Sequence, residues 1–438
     1  MSNINKTELK KFVCRFLDEH QQELITDGEY LLNIPELAYR EYKTSEFVAN
    51  RLAGLGLEPR KNIAVTGVRA DLDTGRPGPV TAVLGELDAI IVPDHPFADK
   101  TSGAAHACGH HAALNAMLGC AKVLCRPEVL KHLSGKISFM ATPSEECQDQ
   151  PYISRLIAEN KLQFFGGKSQ MIAENEFKDV QIAMMLHAGD KNFTVSGFNG
   201  FVMKRLIFKG RSAHAGAYPE RGINAISMMR SAMNLLDAQR DTFRDEDHVR
   251  IHGYIPEGGQ AVNVVPHQAV FTLQVRGATP QAVQDASEKV DRCVHAAAIA
   301  FGGKAVIENV FGFMPLVNYP ELDDIHRDNV QNFIAPQAPF TSGIYRPSST
   351  DMGDVSMIKP SLHGYFRGFS GTAHTVDFLV TDPLQAYVDS AKMLALNVID
   401  LLFQDAQAGS RIAALSTPMD QEEYLQKMRV YSSKTEYP

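Results

Sequence analysis

The segment Ala105-His106-Ala107-Cys108-Gly109-His110-His111 packs three histidines and one cysteine into six positions. Thiolates and imidazoles are the side chains that bind zinc and similar borderline-soft ions most readily. Gly109 allows the backbone to turn tightly enough for neighbouring ligands to face one point. A chance cluster at a helix start would look the same, so the rest of the chain must decide. Further candidates each follow a strand-like apolar run, where α/β folds place ligand-binding groups. Glu145 and Glu146 follow Ile137–Met140. One carboxylate of such a pair can hold a metal while the other accepts a proton from water, although a solvated acidic helix start gives the same pattern. His187 follows Ala183-Met184-Met185-Leu186, and His374 lies in Gly371-Thr372-Ala373-His374-Thr375; each alone is as readily a structural histidine. Asp88, after Leu84-Gly85-Glu86-Leu87, could orient a ligating imidazole or cap a turn. Together these residues offer Cys108, His110, Glu146, His187 and His374 as ligands, with Glu145 as a base.

The elements that would position them alternate in type. Helical periodicity covers about 6–57, broken by Pro35 and closed by Gly54 and Gly56. Strands are expected at Val65–Leu72, Val80–Leu87, Lys136–Met140 and Asp179–Leu186, and a helix at Ala112–Leu124 directly after the His/Cys cluster. Strand, loop ligand, helix and strand in succession predict an α/β layer fold. A second pattern begins after about Thr194. Strands at Gly200–Lys209, His248–Tyr254, Val262–Arg276 and Lys304–Val310 alternate with helices at Gly222–Asp241 and Pro280–Phe301, the β-α-β-β-α-β order of a ferredoxin-like unit. Long helices at Leu322–Phe333 and Pro383–Phe403 return to the first type, so the second unit reads as an insertion. The predicted division is 1–195 with 314–438 around an inserted 196–313. The polar tail from Glu422 is expected to dock or to be disordered.

The chain has 438 residues, 44% hydrophobic and 21% charged, an ordinary globular composition with room for two or three domains. A net charge of -8 leaves no basic footprint for nucleic acid. No apolar run spans a bilayer, and Met1–Lys6 carries no apolar signal core, so the chain reads as mature protein. Six cysteines without a disulfide spacing point to a reducing cytoplasm.

In their order, these motifs resemble the M20 metallopeptidase and amidohydrolase family, subfamily D in particular. The matching segments are Ile34-Pro35-Glu36-Leu37 with Glu41 and Thr44, Gly85-Glu86-Leu87-Asp88-Ala89, His106–His110, Pro143–Glu146, Gly210–Gly216, Asn263-Val264-Val265-Pro266, Ser349–Ser356 and His374-Thr375. They run from about Asp27 to Gln404. The resemblance implies a zinc-peptidase-like catalytic domain with an inserted α+β dimerisation or lid domain, and a homodimer or higher homo-oligomer. It implies one or two divalent ions (zinc, manganese or cobalt) held by Cys108, His110, Glu146, His187 and His374, with Glu145 as general base. It also implies that His214 stabilises the oxyanion in the partner's site. Asn263 and Arg276 would bind the polar end of a small-molecule substrate, although a turn asparagine and an exposed strand arginine are the plainer readings.

Two departures stand out. Where the family usually has Asp or Asn this chain has His111, expected to fill space beside the centre rather than to ligate. An insertion over 147–162 follows the presumed base. The expected reaction is hydrolysis of a C–N bond by metal-activated water, acting on an N-acyl or aminobenzoyl amino acid or a dipeptide. The alternatives are hydrolytic deamination of an aromatic amine such as 5-nitroanthranilic acid, and a non-catalytic metal-binding homologue; the latter would not need Glu145.

Overall fold

A computed structural model describes residues 4–437, which fall into two compact units. One comprises 1–197, 317–345 and 354–421; the other comprises 198–316, 346–353 and 422–438.

In the first unit the larger sheet runs in the order Arg60–Ile63, Gly67–Asp73, Lys136–Thr142, Val80–Glu86, Ile182–Ala188, Ser361–Phe366, Phe193–Phe198. Its four middle strands are mutually parallel, and the flanking Gly67–Asp73 and Phe193–Phe198 strands are antiparallel to their neighbours. The middle strands are buried on both faces, which is why they read as continuous apolar runs rather than alternating ones. Helix His110–Leu124 is buried along nearly its whole length and packs against Ser390–Leu402 and Val80–Glu86. Gly85 permits that approach: a Cβ there would lie 2.8 Å from the Leu114 Cα. The parallel strands end together, at Thr142, Glu86, Ala188 and Phe366, and the loops beyond those ends carry the candidate site.

The second unit is an antiparallel sheet in the order Arg250–Gly258, Gln268–Gly277, Gly200–Lys209, Lys304–Phe313, Lys434–Tyr437. Helices Ala225–Gln239 and Pro280–Phe301 bury their apolar faces with Leu206, Phe208, Leu273 and Ile307. This is the expected β-α-β-β-α-β order with one strand added. The addition comes from the tail, which is ordered: it forms helix Gln421–Tyr431 and an edge strand, with Tyr437 stacked on His295 at 4.5 Å between ring centres. A polar composition concealed this because an edge strand needs only backbone partners and one aromatic anchor.

Two expected elements differ in extent, and the insertion holds one that was not expected. The strand expected from Val262 begins only at Gln268. Pro266 has no N–H to give to a ladder, and Asn263 and Val265 bond instead to the backbone of Ala215 and Ala213. The helix expected over Pro383–Phe403 begins as a wider π turn at Leu384–Asp389 before becoming α-helical. The insertion after Glu146 holds a helix, Gln150–Ala158, capped by the Asp149 side chain. No helix among the described residues is long and apolar enough to cross a membrane.

Phe139 is fully buried in the central strand between Ala70 and Val83. Phe139→Ala is expected to lower unfolding free energy by about 3–5 kcal/mol, read as a fall in urea midpoint with an unchanged slope.

Candidate metal centre

Each ligand candidate is placed by the end of an element. Cys108 and His110 flank Gly109, which caps helix His110–Leu124 in the left-handed region (φ 82°). A Cβ at Gly109 would sit 2.3 Å from the Ala188 Cβ, so any side chain there is excluded twice, by conformation and by space. Glu145 and Glu146 follow strand Lys136–Thr142, and His187 is the penultimate residue of Ile182–Ala188. His374 lies in a loop, tied by its N–H to the Ala107 carbonyl at 2.8 Å. His374 (φ 71°) and Ser144 (φ 51°) both adopt left-handed backbone, a conformation that favours glycine and costs about 1–3 kcal/mol in other residues.

The side chains converge. Cys108 Sγ lies 3.4 Å from His187 Nε2 and 3.3 Å from His374 Nε2. His374 Nε2 is 3.0 Å from Glu146 Oε1. Within the first unit, three sets each hold their donor atoms within 4.8 Å of one another: Cys108, His110 and His187; Cys108, Glu146 and His374; His110, Glu145 and Glu146. Cys108 belongs to two sets and so could serve two ions. His110 Nε2 is buried without a hydrogen-bond partner, and Glu146 Oε1 has the His374 ring nitrogen beside it. Buried polar atoms are normally paired, and a soft-and-borderline donor set with an unpaired atom facing inward fits a divalent transition ion.

Asp88 organises the set. Its Oδ1 lies 3.2 Å, and its backbone carbonyl 3.0 Å, from His110 Nδ1, which leaves His110 Nε2 facing the ligands. Its Oδ2 accepts the Glu146 N–H at 2.9 Å. Glu41, buried alongside, accepts the Ser144 N–H and the Thr66 hydroxyl; burial, and next the Asp88 charge, push its carboxyl up to about 8.

Without an ion the electrostatics conflict. Burial and the neighbouring glutamates push the Cys108 thiol far up. His110 is strongly raised even though burial opposes charge, because Glu86 and Cys108 favour its cation. Burial draws His187 down to about 4. His374 is raised by its bond to Glu146.

His111 is fully buried, with its Nε2 3.1 Å from the Tyr387 hydroxyl and its ring edge-on to Phe369 and Tyr387. It belongs to none of the convergent sets. Burial pulls it down to about 3, so it is a neutral ring. Phe366 and Phe369 are core residues, the latter stacked on Phe378. In the second unit, His214 and Asn263 share one exposed loop pair. The Ala215 N–H bonds the Asn263 carbonyl, and the Gly216 and Ala217 N–H groups bond His214 Nδ1. Arg276 lies apart on its strand, bonded to Ser349 and Gln274 and packed on the Phe201 ring.

Two residues went unread in the sequence. Glu86 and Lys168 are fully buried and paired at 2.6 Å, and Glu86 Oε2 lies 3.3 Å from His110 Nε2. Burial opposes ionisation of Glu86, but Lys168, His110 and His187 overcome it and bring the carboxyl down to about 2. The available signal was a charged residue at the end of an otherwise apolar strand.

Residues 196–300 match the peptidase dimerisation domain of the M20 type. The Xaa-Arg dipeptidase of Mus musculus is 25% identical over 424 residues, covering 91% of this chain and 90% of its own. An N-acyl-L-amino acid amidohydrolase of Geobacillus stearothermophilus is 25% identical over 335 residues, covering 73% of this chain and 84% of its own. A dinuclear metal-binding peptidase of the M20 family from Bacillus subtilis shares the fold, with a TM-score of 0.67 at 20% identity over 87% of this chain and 98% of that one. The two relatives that match along most of the chain are thus named a dipeptidase and an amidohydrolase. Residues 196–300 carry an M20-type dimerisation domain, as the motifs implied.

Burial holds the proton on the Cys108 thiol near neutrality, and a cation must displace it. Zinc binding is therefore expected to release protons and to tighten as pH rises. Calorimetric titrations in buffers of different ionisation enthalpy would check this, through a non-zero slope of observed enthalpy against buffer enthalpy.

Proposed function

We propose that the chain is a metal-dependent amidohydrolase that cleaves a small N-acyl or aminobenzoyl amino acid or a dipeptide. The observation that carries this reading is the convergence of Cys108, His110, Glu146, His187 and His374, with Glu145 Oε2 4.0 Å from His110 Nε2. Zinc, manganese or cobalt would suit the donors. A divalent ion bound there would supply Lewis acidity and make water nucleophilic near neutral pH.

The remaining work falls to the chain. Glu145 takes a proton from the attacking water on its carboxylate and returns it to the leaving nitrogen. Its side chain is only 11% exposed, so bulk water competes little for that proton. Asp88 fixes the His110 ring, and Cys108 supplies negative charge to whatever cation the site holds. His214 would stabilise the oxyanion in the site of a second copy, with Asn263 and Arg276 on the substrate's polar end; the M20 dimerisation domain supports pairing of two copies.

Glu145→Gln is expected to lower kcat by about 10²–10⁴-fold while bound metal, measured by mass spectrometry of the metal, stays unchanged; retained turnover would remove Glu145 as the base. Mixing Glu145→Gln with His214→Ala subunits should restore part of the activity, and no recovery would remove the shared-site role of His214.

One observation favours a second reading, release of ammonia from an electron-poor aromatic amine such as 5-nitroanthranilic acid. A cavity of about 250 Å³ is walled by Phe97, Phe369, Phe378 and Tyr387 together with His106 and His111, which flank the ligand pair in sequence. About 150 Å³ is enough for a benzene-sized ring. A panel of amides and aminobenzoates, followed by ammonia release and amide cleavage, separates the two: ammonia from a ring amine with no amide cleaved would overturn the amide reading.

A further inference from the structure

The spacing of the donor atoms suggests that one ligand is still uncounted. Two atoms bound to one ion at about 2.0–2.2 Å, at angles between octahedral and tetrahedral, lie roughly 3.0–3.4 Å apart, and slightly more when one is sulfur. The Cys108–His187, Cys108–His374 and His374–Glu146 separations of 3.4, 3.3 and 3.0 Å all fall in that range. So does a fourth separation, the 3.3 Å between Glu86 Oε2 and His110 Nε2.

Those two atoms share a second property. Both are buried, and neither has a hydrogen-bond partner, although they face each other. A carboxylate oxygen and an imidazole nitrogen at this distance would normally be aligned into a hydrogen bond, since an unmade one costs about 1–3 kcal/mol in the interior. Each has its other polar atom already committed: Glu86 Oε1 to Lys168 at 2.6 Å, and His110 Nδ1 to Asp88. The side chains are therefore fixed from behind, with their remaining atoms left 3.3 Å apart.

We propose that Glu86 is a further metal ligand, binding through Oε2 the same ion as His110 Nε2, and that Lys168 is its positioning residue. The inference rests on the metal-dependent reading above. It gives the ion at His110 a carboxylate on the Glu86 side of that ring, and leaves the ion at Glu146 and His374 without one from this strand. Lys168 orients the carboxylate through Oε1 and offsets part of its charge, so that a fourth anionic group can sit beside Cys108, Glu145 and Glu146.

The test uses the full-length protein loaded with Co²⁺ or Zn²⁺. Chelator competition on wild type, Glu86→Gln and Glu86→Asp should show one ion bound more than about tenfold more weakly in Glu86→Gln, with the other unaffected. The visible spectrum of the Co²⁺ protein should change in band position and intensity in Glu86→Gln, and return toward wild type in Glu86→Asp. Lys168→Met should weaken the same ion and no other. An unaltered Co²⁺ spectrum and affinities within twofold in Glu86→Gln would overturn the assignment. Should Glu86→Gln fail to fold, a crystal structure of the Co²⁺-loaded wild type decides. Anomalous density within about 2.5 Å of Glu86 Oε2 supports the ligand, and density bound by His110 but beyond 3 Å from Glu86 overturns it. Wild type that takes up neither ion would instead overturn the metal-dependent reading itself, and this inference with it.

Discussion

The centre depends on one buried carboxylate. Asp88 bonds the His110 ring through Oδ1 and the Glu146 backbone through Oδ2, so a single planar group sets the relative position of two segments that arise from different strands. It is completely buried, which makes those bonds strong and their loss expensive. Glu41 makes a similar tie from the helical layer, holding Ser144 at the entry to the Glu145–Glu146 pair. Burial favours protonation of Glu41, and the negative Asp88 nearby reinforces that. The left-handed backbone at Ser144 and His374 is sustained by these ties: each strained residue is fixed by a bond to a neighbouring loop, Ser144 to Glu41 and His374 to Ala107.

What could be read from the sequence follows from the same architecture. In a parallel sheet each strand is an apolar run and each run ends at the site, so Glu145, Glu146 and His187 could be located by what precedes them, while Cys108 and His110 were legible from their types and spacing around Gly109. His374 had no such strand directly before it and was legible only through its place in the motif order. Glu86 and Lys168 were missed because their pairing has no local signature. They lie 82 residues apart, and a glutamate ending a strand reads as a group turning toward solvent. Burial reverses that meaning, and burial is a property of the packed layers rather than of the run. The same limit explains the misplaced start of Gln268–Gly277, where β-branched residues suggested a strand but Pro266 and the bonds to Ala213 and Ala215 hold a loop.

The second unit shows how a fold element can be completed from a distance. Its four-stranded pattern was visible as an ordered alternation of periods, yet the fifth strand comes from the chain end. Lys434–Tyr437 covers the outer edge of Lys304–Phe313. An uncovered edge presents free N–H and C=O groups to other chains, so this short strand protects one side of the sheet. The opposite edge, Arg250–Gly258, remains exposed through most of its length, with Tyr254 at 65% and Ile255 at 49%. An M20 dimerisation domain spans this region, and an open, partly apolar edge is the kind of surface that a second copy can use.

His111 changes the charge behind the ligands rather than the ligand count. An aspartate at this position would place a negative charge next to His110 in the chain, where it would strengthen the field on a bound cation from the buried side. A neutral imidazole removes that charge and directs its hydrogen bond to the Tyr387 hydroxyl. Tyr387 is itself held against Gly28, where a Cβ would lie 2.5 Å from its ring, so the substitution is accommodated by a space reserved in a helix of the first layer. Charge absent behind the centre leaves the cation more dependent on the anions in front of it. Glu86 stands in front, kept ionised by Lys168. A neutral ring at His111 and an ionised Glu86 are thus complementary: the negative charge beside His110 comes from the Glu86 carboxylate rather than from position 111.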